Sequence, residues 1–585
     1  MAEYRNPQTE PGSEKRLLLI FLISFVFMLL AQPLLKKYFP TPPPPQKIAQ
    51  TEQAPPPPPA SKSASSAPVA PSAPAVTKQA AGETETVIES DLYRVTFTNR
   101  GGEVKSWILK KFENDTENGR LDLVNPTTAS QYGYPLSLYT YDDSLRERLN
   151  SALYVATQDG RRITFEYSDQ DLTVRKVFEF DNTYVVKVDA SVTYRGAQKE
   201  TLLAWPSGFG DQISPAFYAT SLLTYQFNKN IERVAPRCGF SLFSKCTQVI
   251  GGGTIPGPFH WAGPTDQYFA AVFIPDDPAA ASMVTLNHSM PIPKDPQKPQ
   301  DTVNVDVIGV AVGNLHGAVS ERLYAGPKEL EVLQKVPVPG VSGADNDLNG
   351  LVDFGWWGII AKPLFVWLRW TYHHIVPNWG WAIIVQTIIL SLALMPLRIT
   401  QMKSMLKMQR VAPQIKSIQE KYKKYSLRDP RKAAMNEEIA ALYKKEGVNP
   451  AGGCLPMLIQ FPFLIAYYRM LGTALDLRHA HFLWIHDLSA AEPFPYILPI
   501  LMVVSSLINQ RMTPQAGMDP AQQRMMNIMM PLFMGFIFFR LQAGLNLYYA
   551  MSNLIMIAQQ SVMNRTHLGR EMREMMAKRA RKKDK

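Results

Sequence analysis

The sequence predicts a polytopic α-helical membrane protein that carries one large all-β domain outside the bilayer. Three observations lead there. Apolar residues concentrate in one N-terminal run and in a block from Trp356 to Ile557, although mean hydropathy over the 585 residues is near neutral. A long stretch between them alternates apolar and polar residues with the period of a strand. Basic residues gather on particular loops between the apolar runs, where they report orientation. The net charge of +11 suits nucleic acid, ribosomal RNA or anionic lipid equally, so its placement carries the information.

Residues 1–16 precede an almost wholly apolar run, Leu17 to Leu35, which follows Lys15 and Arg16. A cleavable signal peptide has a shorter apolar core and a small-residue cleavage site. Here Gln32-Pro33 and Lys36-Lys37 follow instead, so the run reads as an uncleaved transmembrane helix. Residues 36–85 are rich in Pro, Ala, Ser and Gln, including Pro42 to Pro45 and Pro55 to Pro59, and read as an extended, semi-rigid tether.

Residues 86–340 read as an antiparallel β-sandwich. Val186, Val188, Ala190, Val192 and Tyr194 alternate with Lys187, Asp189, Ser191, Thr193 and Arg195. Val174 to Phe180 and Thr302 to Val312 are strand-like, Asn99-Arg100-Gly101-Gly102 is a turn signal, and Lys328 to Lys335 suits a short closing helix. Cys238, Cys246 and Cys454 are too few for a disulfide framework. The first two lie in the β-domain and their pairing stays open; Cys454 reads as a small packing residue.

Residues 351–376 mix Trp356, Trp357, Phe365, Trp367, Trp370 and Tyr372 with Lys362, Arg369, His373 and His374. Rings with scattered charges suit a helix lying in the headgroup zone. Five further spans follow at 379–397, 455–475, 495–508, 525–541 and 545–560, which makes six with the first and puts both termini on one side. The loop at 398–453 is strongly basic, and the tail at 561–585 ends Lys578-Arg579-Ala580-Arg581-Lys582-Lys583. Both are therefore cytoplasmic, and the β-domain is periplasmic.

The 398–453 loop has the pattern of a helical hairpin. Met408, Ala412, Ile415, Ile418 or Gln419, and Tyr422 recur at three- and four-residue steps, as do Met435, Ile439 and Leu442; Ser426 to Pro430 breaks the two runs, which share one apolar seam. Its basic exterior, with Lys421, Lys423, Lys424, Arg428, Arg431 and Lys432, and the tail with Arg581, Lys582 and Lys583, suit contact with anionic phospholipid or the ribosome.

Polar residues recur within the later spans. Asn546, Tyr549 and Asn553 share one face of the last; Gln460 and Tyr467 are one heptad apart in the third; Thr387 and Ser391 are one turn apart in the second, with Gln386 nearby. Each alone reads as helix–helix glue. As a set over three helices they read as a hydrated groove, which lowers the cost of passing a polar flank into hydrocarbon. Pro396, Pro456, Pro462, Pro495, Pro499 and Pro531 punctuate these short spans, and short spans thin the bilayer locally. Methionines such as Met402, Met405, Met408, Met525, Met526, Met529, Met530 and Met534 suit a surface that accepts many sequences.

Asn449-Pro450-Ala451-Gly452-Gly453-Cys454-Leu455-Pro456 with Gln460 and Pro462, Leu483-Trp484-Ile485-His486-Asp487-Leu488 before Tyr496-Ile497-Leu498-Pro499, and Gly544-Leu545 with Leu547-Tyr548-Tyr549 and Ser552-Asn553-Leu554 resemble the YidC/Oxa/Alb family of insertases in its long Gram-negative form. The resemblance covers residues 355–563. It implies a five-helix insertase core with a lipid-open groove, a cytoplasmic helical hairpin and a periplasmic all-β supersandwich. It also implies no cofactor, no DNA partner, and work on nascent membrane proteins with the ribosome and the Sec translocon (SecYEG, SecDF) at the bacterial inner membrane. The family's groove arginine in the second span is matched here by Ser391, and neither Arg398 nor Arg469 is a clear replacement. Groove polarity is then expected mainly from Gln, Asn, Ser and Tyr.

Two other classes fit less well. His479, His481 and His486 beside Asp487 suggest a metal, but their aromatic loop suits interfacial structural histidines better. No Ser-His-Asp set, H-E-x-x-H, phosphate loop or buried carboxylate pair marks an enzyme. A transporter would show an internal repeat and acidic residues for ion coupling.

Overall fold

The computed structural model describes residues 77–566, apart from 116, 211–217, 219–220, 229, 237–250, 295–299, 315–316, 342–345, 356, 423–424, 426–430, 449–454 and 513–524; the side chains of 401–402, 405–406, 409, 432–433, 455–460 and 525–526 are also outside the description. The expected first span at 17–35, the tether up to residue 76, all three cysteines and the tail beyond 566 lie outside the described residues.

The alternating pattern does build a sandwich. A ten-stranded antiparallel sheet runs in the order Asn230–Val234, Leu222–Phe227, Phe259–Thr265, Phe269–Pro275, Val319–Pro327, Val185–Tyr194, Leu172–Phe180, Arg162–Ser168 and Val155–Asp159, with Ala197–Gln198 appended to Val185–Tyr194. A five-stranded sheet (Thr254–Pro256, Ala281–Pro293, Thr302–Asn314, Thr201–Trp205, Ser137–Tyr139) and a four-stranded sheet (Glu85–Glu89, Tyr93–Thr98, Glu103–Glu113, Arg120–Asp122) pack against it. Phe97 reaches Phe165 and Phe178 of the long sheet, and Trp107 meets Trp205 at 6.3 Å, joining the two shorter sheets in one core. On Val185–Tyr194 the inward set Val186, Val188, Ala190 and Val192 is buried as the alternation requires, and Tyr194 is half-buried at the strand end. The expected closing helix at 328–335 is a single turn, Leu330–Leu333.

One polar residue breaks the apolar face of Leu172–Phe180. The buried Lys176 ammonium donates to the carbonyls of Gly101 (2.9 Å), Gly102 (2.7 Å) and Leu136 (2.6 Å). It thereby ties down the turn after Asn99. Gly101 and Gly102 have φ of 67° and 58°, and a Cβ on either meets Asn150 backbone or the Phe165 ring, so glycine is required at both. Glu103 is buried nearby. Burial pushes its carboxyl up to about 8 against the pull of Lys176, and pulls Lys176 down to about 7 against the pull of Glu103.

The C-terminal half is helical: α1 (Gly358–His374), α2 (Trp379–Ala393), α3 (Met395–Lys421), α4 (Arg431–Lys445), α5 (Leu455–Thr473), α6 (Ile497–Met512), α7 (Met530–Phe538, preceded by a π turn at Met525–Met529) and α8 (Ala543–Arg565). Among the described residues no single helix is long and apolar enough to cross a membrane on hydropathy; α1 and α2 pass together but are bent by 119°. At 1.5 Å per residue, α2 with its 15 residues and α6 with 16 span roughly 22–24 Å, against about 30 Å of hydrocarbon. The second expected span is shorter than 379–397 because α3 begins at Met395. Pro396 sits in its first turn, where the missing N–H has no helical partner to lose. The last helix outruns the expected 545–560 at both ends.

Polar contacts among the described residues help seat the β-domain on the helices. Arg478 donates to the Glu113 carbonyl (2.7 Å) and Asp115 (2.6 Å), beneath Tyr268 and Phe269. Gln267 donates to the Gly472 carbonyl at the end of α5 (2.8 Å). Arg369 of α1 lies between Glu331 (3.2 Å) and Asp476 (3.6 Å).

Two stability effects follow. Lys176→Met strands three buried carbonyls and removes the charge that faces the Glu103 carboxyl, and is expected to cost about 3 kcal/mol in chemical unfolding. Glu321 is buried on Val319–Pro327 with no hydrogen-bond partner for either carboxylate oxygen among the described residues; burial, then Asp276, push its carboxyl well up. The folded state therefore holds this proton more tightly than the unfolded one, and the contribution is full below pH 4.5 and declines as pH rises. Glu321→Gln should raise the melting temperature more at pH 8 than at pH 5; an equal shift at both pH values would contradict this.

Candidate functional site

The polar residues of the spans are placed by short helices with well-capped starts. Asn378 begins α2, its side chain accepting from the Trp381 N–H (3.2 Å). Glu492 begins α6: one carboxylate oxygen accepts from the Ile497 N–H (3.1 Å) and the Trp484 indole (2.7 Å), the other from the Leu498 N–H (2.8 Å). From the sequence, Glu492 counts with Asp476 and Asp487 only as an acid of the loop between the third and fourth spans; its capping role appears in the structure.

The amides expected to share one groove go to three different neighbours. Gln386 is buried and donates to the Leu364 carbonyl of α1 at 2.9 Å. Asn546 donates to the carbonyls of Phe538 (3.0 Å) and Leu541 (3.3 Å), closing the end of α7. Asn553 donates to Ser505 (3.2 Å) and Ser506 (2.8 Å) of α6. Tyr549 packs on Phe538 at 5.0 Å. Thr387 donates to the Ile383 carbonyl of its own helix at 2.6 Å. Each of these bonds holds one helix or joins two. The Gln460 side chain lies outside the described residues.

Two features do converge between α2, α5 and α8. Tyr467 of α5 lies flat on Tyr548 of α8, ring centres 3.8 Å apart and 10° from parallel. Among the described residues, contact between α5 and α8 is otherwise slight; α5 runs chiefly along α1, while α8 runs along α2 and α6. Eleven residues further along α8, or about 16 Å, Gln559 joins the ends of two helices: its amide donates to the Ser391 carbonyl (3.2 Å) and accepts from the half-buried Arg398 (2.8 Å). Gln559 was not singled out from the sequence. It neighbours Gln560, which shares the register of Asn546 and Asn553, and only packing distinguishes the two glutamines.

The basic hairpin forms from α3 and α4. Val411, Ile415 and Val448 are buried between them, with Met408, Ile439, Leu442 and Tyr443 packed alongside. The expected contact residue Lys421 is paired with Glu438 at 2.8 Å, and Arg431 sits over the Tyr425 ring at 3.9 Å. Lys423, Lys424, Arg428, Arg581, Lys582, Lys583 and the side chain of Lys432 lie outside the described residues. On the opposite side of the core, His481 and His486 meet edge to face at 5.7 Å.

A β-sandwich is seated on short apolar helices with a charged hairpin at their other end, and the sequences that share this arrangement mark an inner-membrane protein with a periplasmic domain. The family model described as 60Kd inner membrane protein matches residues 370–570, and that described as YidC periplasmic domain matches 85–367. A protein of Geobacter metallireducens named membrane protein insertase YidC is 31% identical over 511 residues, covering 83% of this chain and 86% of that one. Its namesake from Cupriavidus necator is 34% identical over 537 residues, with 87% of each chain covered. The chain belongs to the YidC family. Among solved structures, an active YidC insertase with its first transmembrane domain resolved is 20% identical, covering 85% of this chain and 96% of that one with a TM-score of 0.34. YidC from Thermotoga maritima is 14% identical, covering 82% and 98%, at 0.27.

Replacing the glue residues should act on stability. Asn553→Leu is expected to cost about 0.6 kcal/mol in unfolding from mixed micelles, and Asn546→Leu more, since it removes the side-chain donor to the Leu541 carbonyl and one of two donors to the Phe538 carbonyl.

Proposed function

We propose that this protein is a membrane protein insertase that eases nascent inner-membrane proteins into the bilayer without catalysing a covalent reaction. The observation that carries the mechanism is that α5 meets α8 at the Tyr467–Tyr548 stack while running chiefly along α1, with polar groups gathered at Ser391, Arg398 and Gln559. In this reading the stack is the floor of a groove that opens toward the cytoplasmic hairpin and laterally to lipid. Its walls are α2, α5 with Gln460, and α8. Gln386, Asn546 and Asn553 act behind those walls, holding them apart, rather than touching the substrate.

A polar flank of an incoming chain that enters such a groove keeps hydrogen-bonding partners while still short of the far headgroups. The short helices thin the bilayer and shorten the remaining path. The apolar segment then leaves sideways into lipid, and its burial supplies the free energy, so no nucleotide is needed. All six spans cross the membrane in this reading, with both termini cytoplasmic. The basic hairpin and tail contact the ribosome or anionic phospholipid, and the Sec translocon is a partner for larger substrates.

The test is photocrosslinking with stalled ribosome–nascent-chain complexes. A photoreactive residue at Ile555, one heptad beyond Tyr548 on α8, should capture the nascent membrane segment. One at Phe536, which faces outward on α7, should capture lipid. Equal capture of nascent chain from both positions, or lipid alone from Ile555, would overturn the groove.

A further inference from the structure

Where the β-domain meets the end of α5 there is a cavity of about 90 Å³. Five charged side chains line it: Arg233, Asp266, Lys328 and Asp353 from the β-domain side, and Arg469 from α5. Both carboxylates are already engaged. Asp266 accepts from the N–H groups of Tyr268 (2.7 Å) and Phe269 (2.6 Å). Asp353 accepts from the Gly355 N–H (2.9 Å) and faces Arg233 at 3.8 Å. Arg233 also donates to the Gly350 carbonyl at 2.7 Å. The Lys328 ammonium has three protons to donate, and its hydrogen bond is to the Asp266 main-chain carbonyl at 2.9 Å rather than to a carboxylate.

Three cations against two carboxylates leave the lining with an excess positive charge. Burial pulls Lys328 down to about 8 in spite of Asp266, the direction expected where an ammonium lacks full compensation. The cavity has room for several waters, and so for one small oxyanion. The cavity flanks Gly472 and Thr473 in the last turn of α5, the end next to the periplasmic domain. In a bilayer that end lies at the level of the headgroups.

We propose that this cavity binds a phosphate group, supplied by an anionic phospholipid of the periplasmic leaflet, which bridges the β-domain to the end of α5. The lipid source rests on the reading above that α5 crosses the membrane; the phosphate chemistry does not. A bound headgroup would add a further tie to those made by Arg478, Gln267 and Arg369, one that depends on the membrane's composition.

The full chain, purified in mild detergent, tests this by native mass spectrometry with phosphatidylglycerol, with inorganic phosphate as a separate arm. The wild type should retain one phosphatidylglycerol, and Lys328→Gln and Arg469→Gln should each weaken retention at least tenfold. Thr473→Met fills the cavity and leaves every charge in place, so it should also lose the lipid while keeping the wild-type melting temperature measured without lipid. Equal retention by wild type and all three variants would overturn the site. Displacement of the lipid by millimolar inorganic phosphate would keep the phosphate chemistry and overturn the lipid source. Crosslinking from Ile555 is independent of every one of these readouts, so failure of the groove and failure of this site are separately visible.

Discussion

A polar group removed from water must find a partner inside the protein, and this requirement shapes both halves of the molecule. In the helical half, Gln386, Asn546 and Asn553 reach across to carbonyls or hydroxyls of α1, α7 and α6. Hydrocarbon does not drive apolar helices together as water does, so these bonds, with close packing, set which helices touch. In the β-domain the same rule makes Lys176 the anchor of the turn at Gly101 and Gly102.

The helices fixed in this way form an uneven bundle. α8 is held on two sides, by α2 and α6, whereas α5 leans on α1 and meets α8 at a pair of stacked tyrosines. An arrangement of this kind separates scaffold from working surface. The amides hold the scaffold, joining α2 to α1, α8 to α6 and the start of α8 to the end of α7. Arg398 and Gln559 meet where α2 ends and α3 begins, beside α8. Together they bring a positive charge close to Ser391, although Ser391 itself carries none.

The junction of the two halves is polar and closely built. Arg478 reaches into the β-domain beneath two rings, Gln267 reaches back to α5, and Arg369 links α1 to the loop after α5. The β-domain is thus seated on the same helix, α5, whose other end borders the hairpin. Movement of the domain relative to the core would have to break several charge-assisted bonds that are partly shielded from water.

Much of this was legible in the chain. Alternation at Val186 to Val192 determined which side of a strand is buried, because side chains change face at every residue. Apolar runs and their basic flanks determined where the core helices lie and which loop forms the hairpin, because lipid accepts few charges. The motif residues determined the family. What the sequence left undecided was the direction in which each polar side chain points. Asn546, Asn553 and Gln560 share a register, yet their neighbours depend on helices distant in the chain. Gln559 became the bridge between Ser391 and Arg398 only once α2 and α8 were side by side. Helical period places a residue on a face; the packing of several helices decides what that face meets, and the energy of a hydrogen bond depends on the partner actually present.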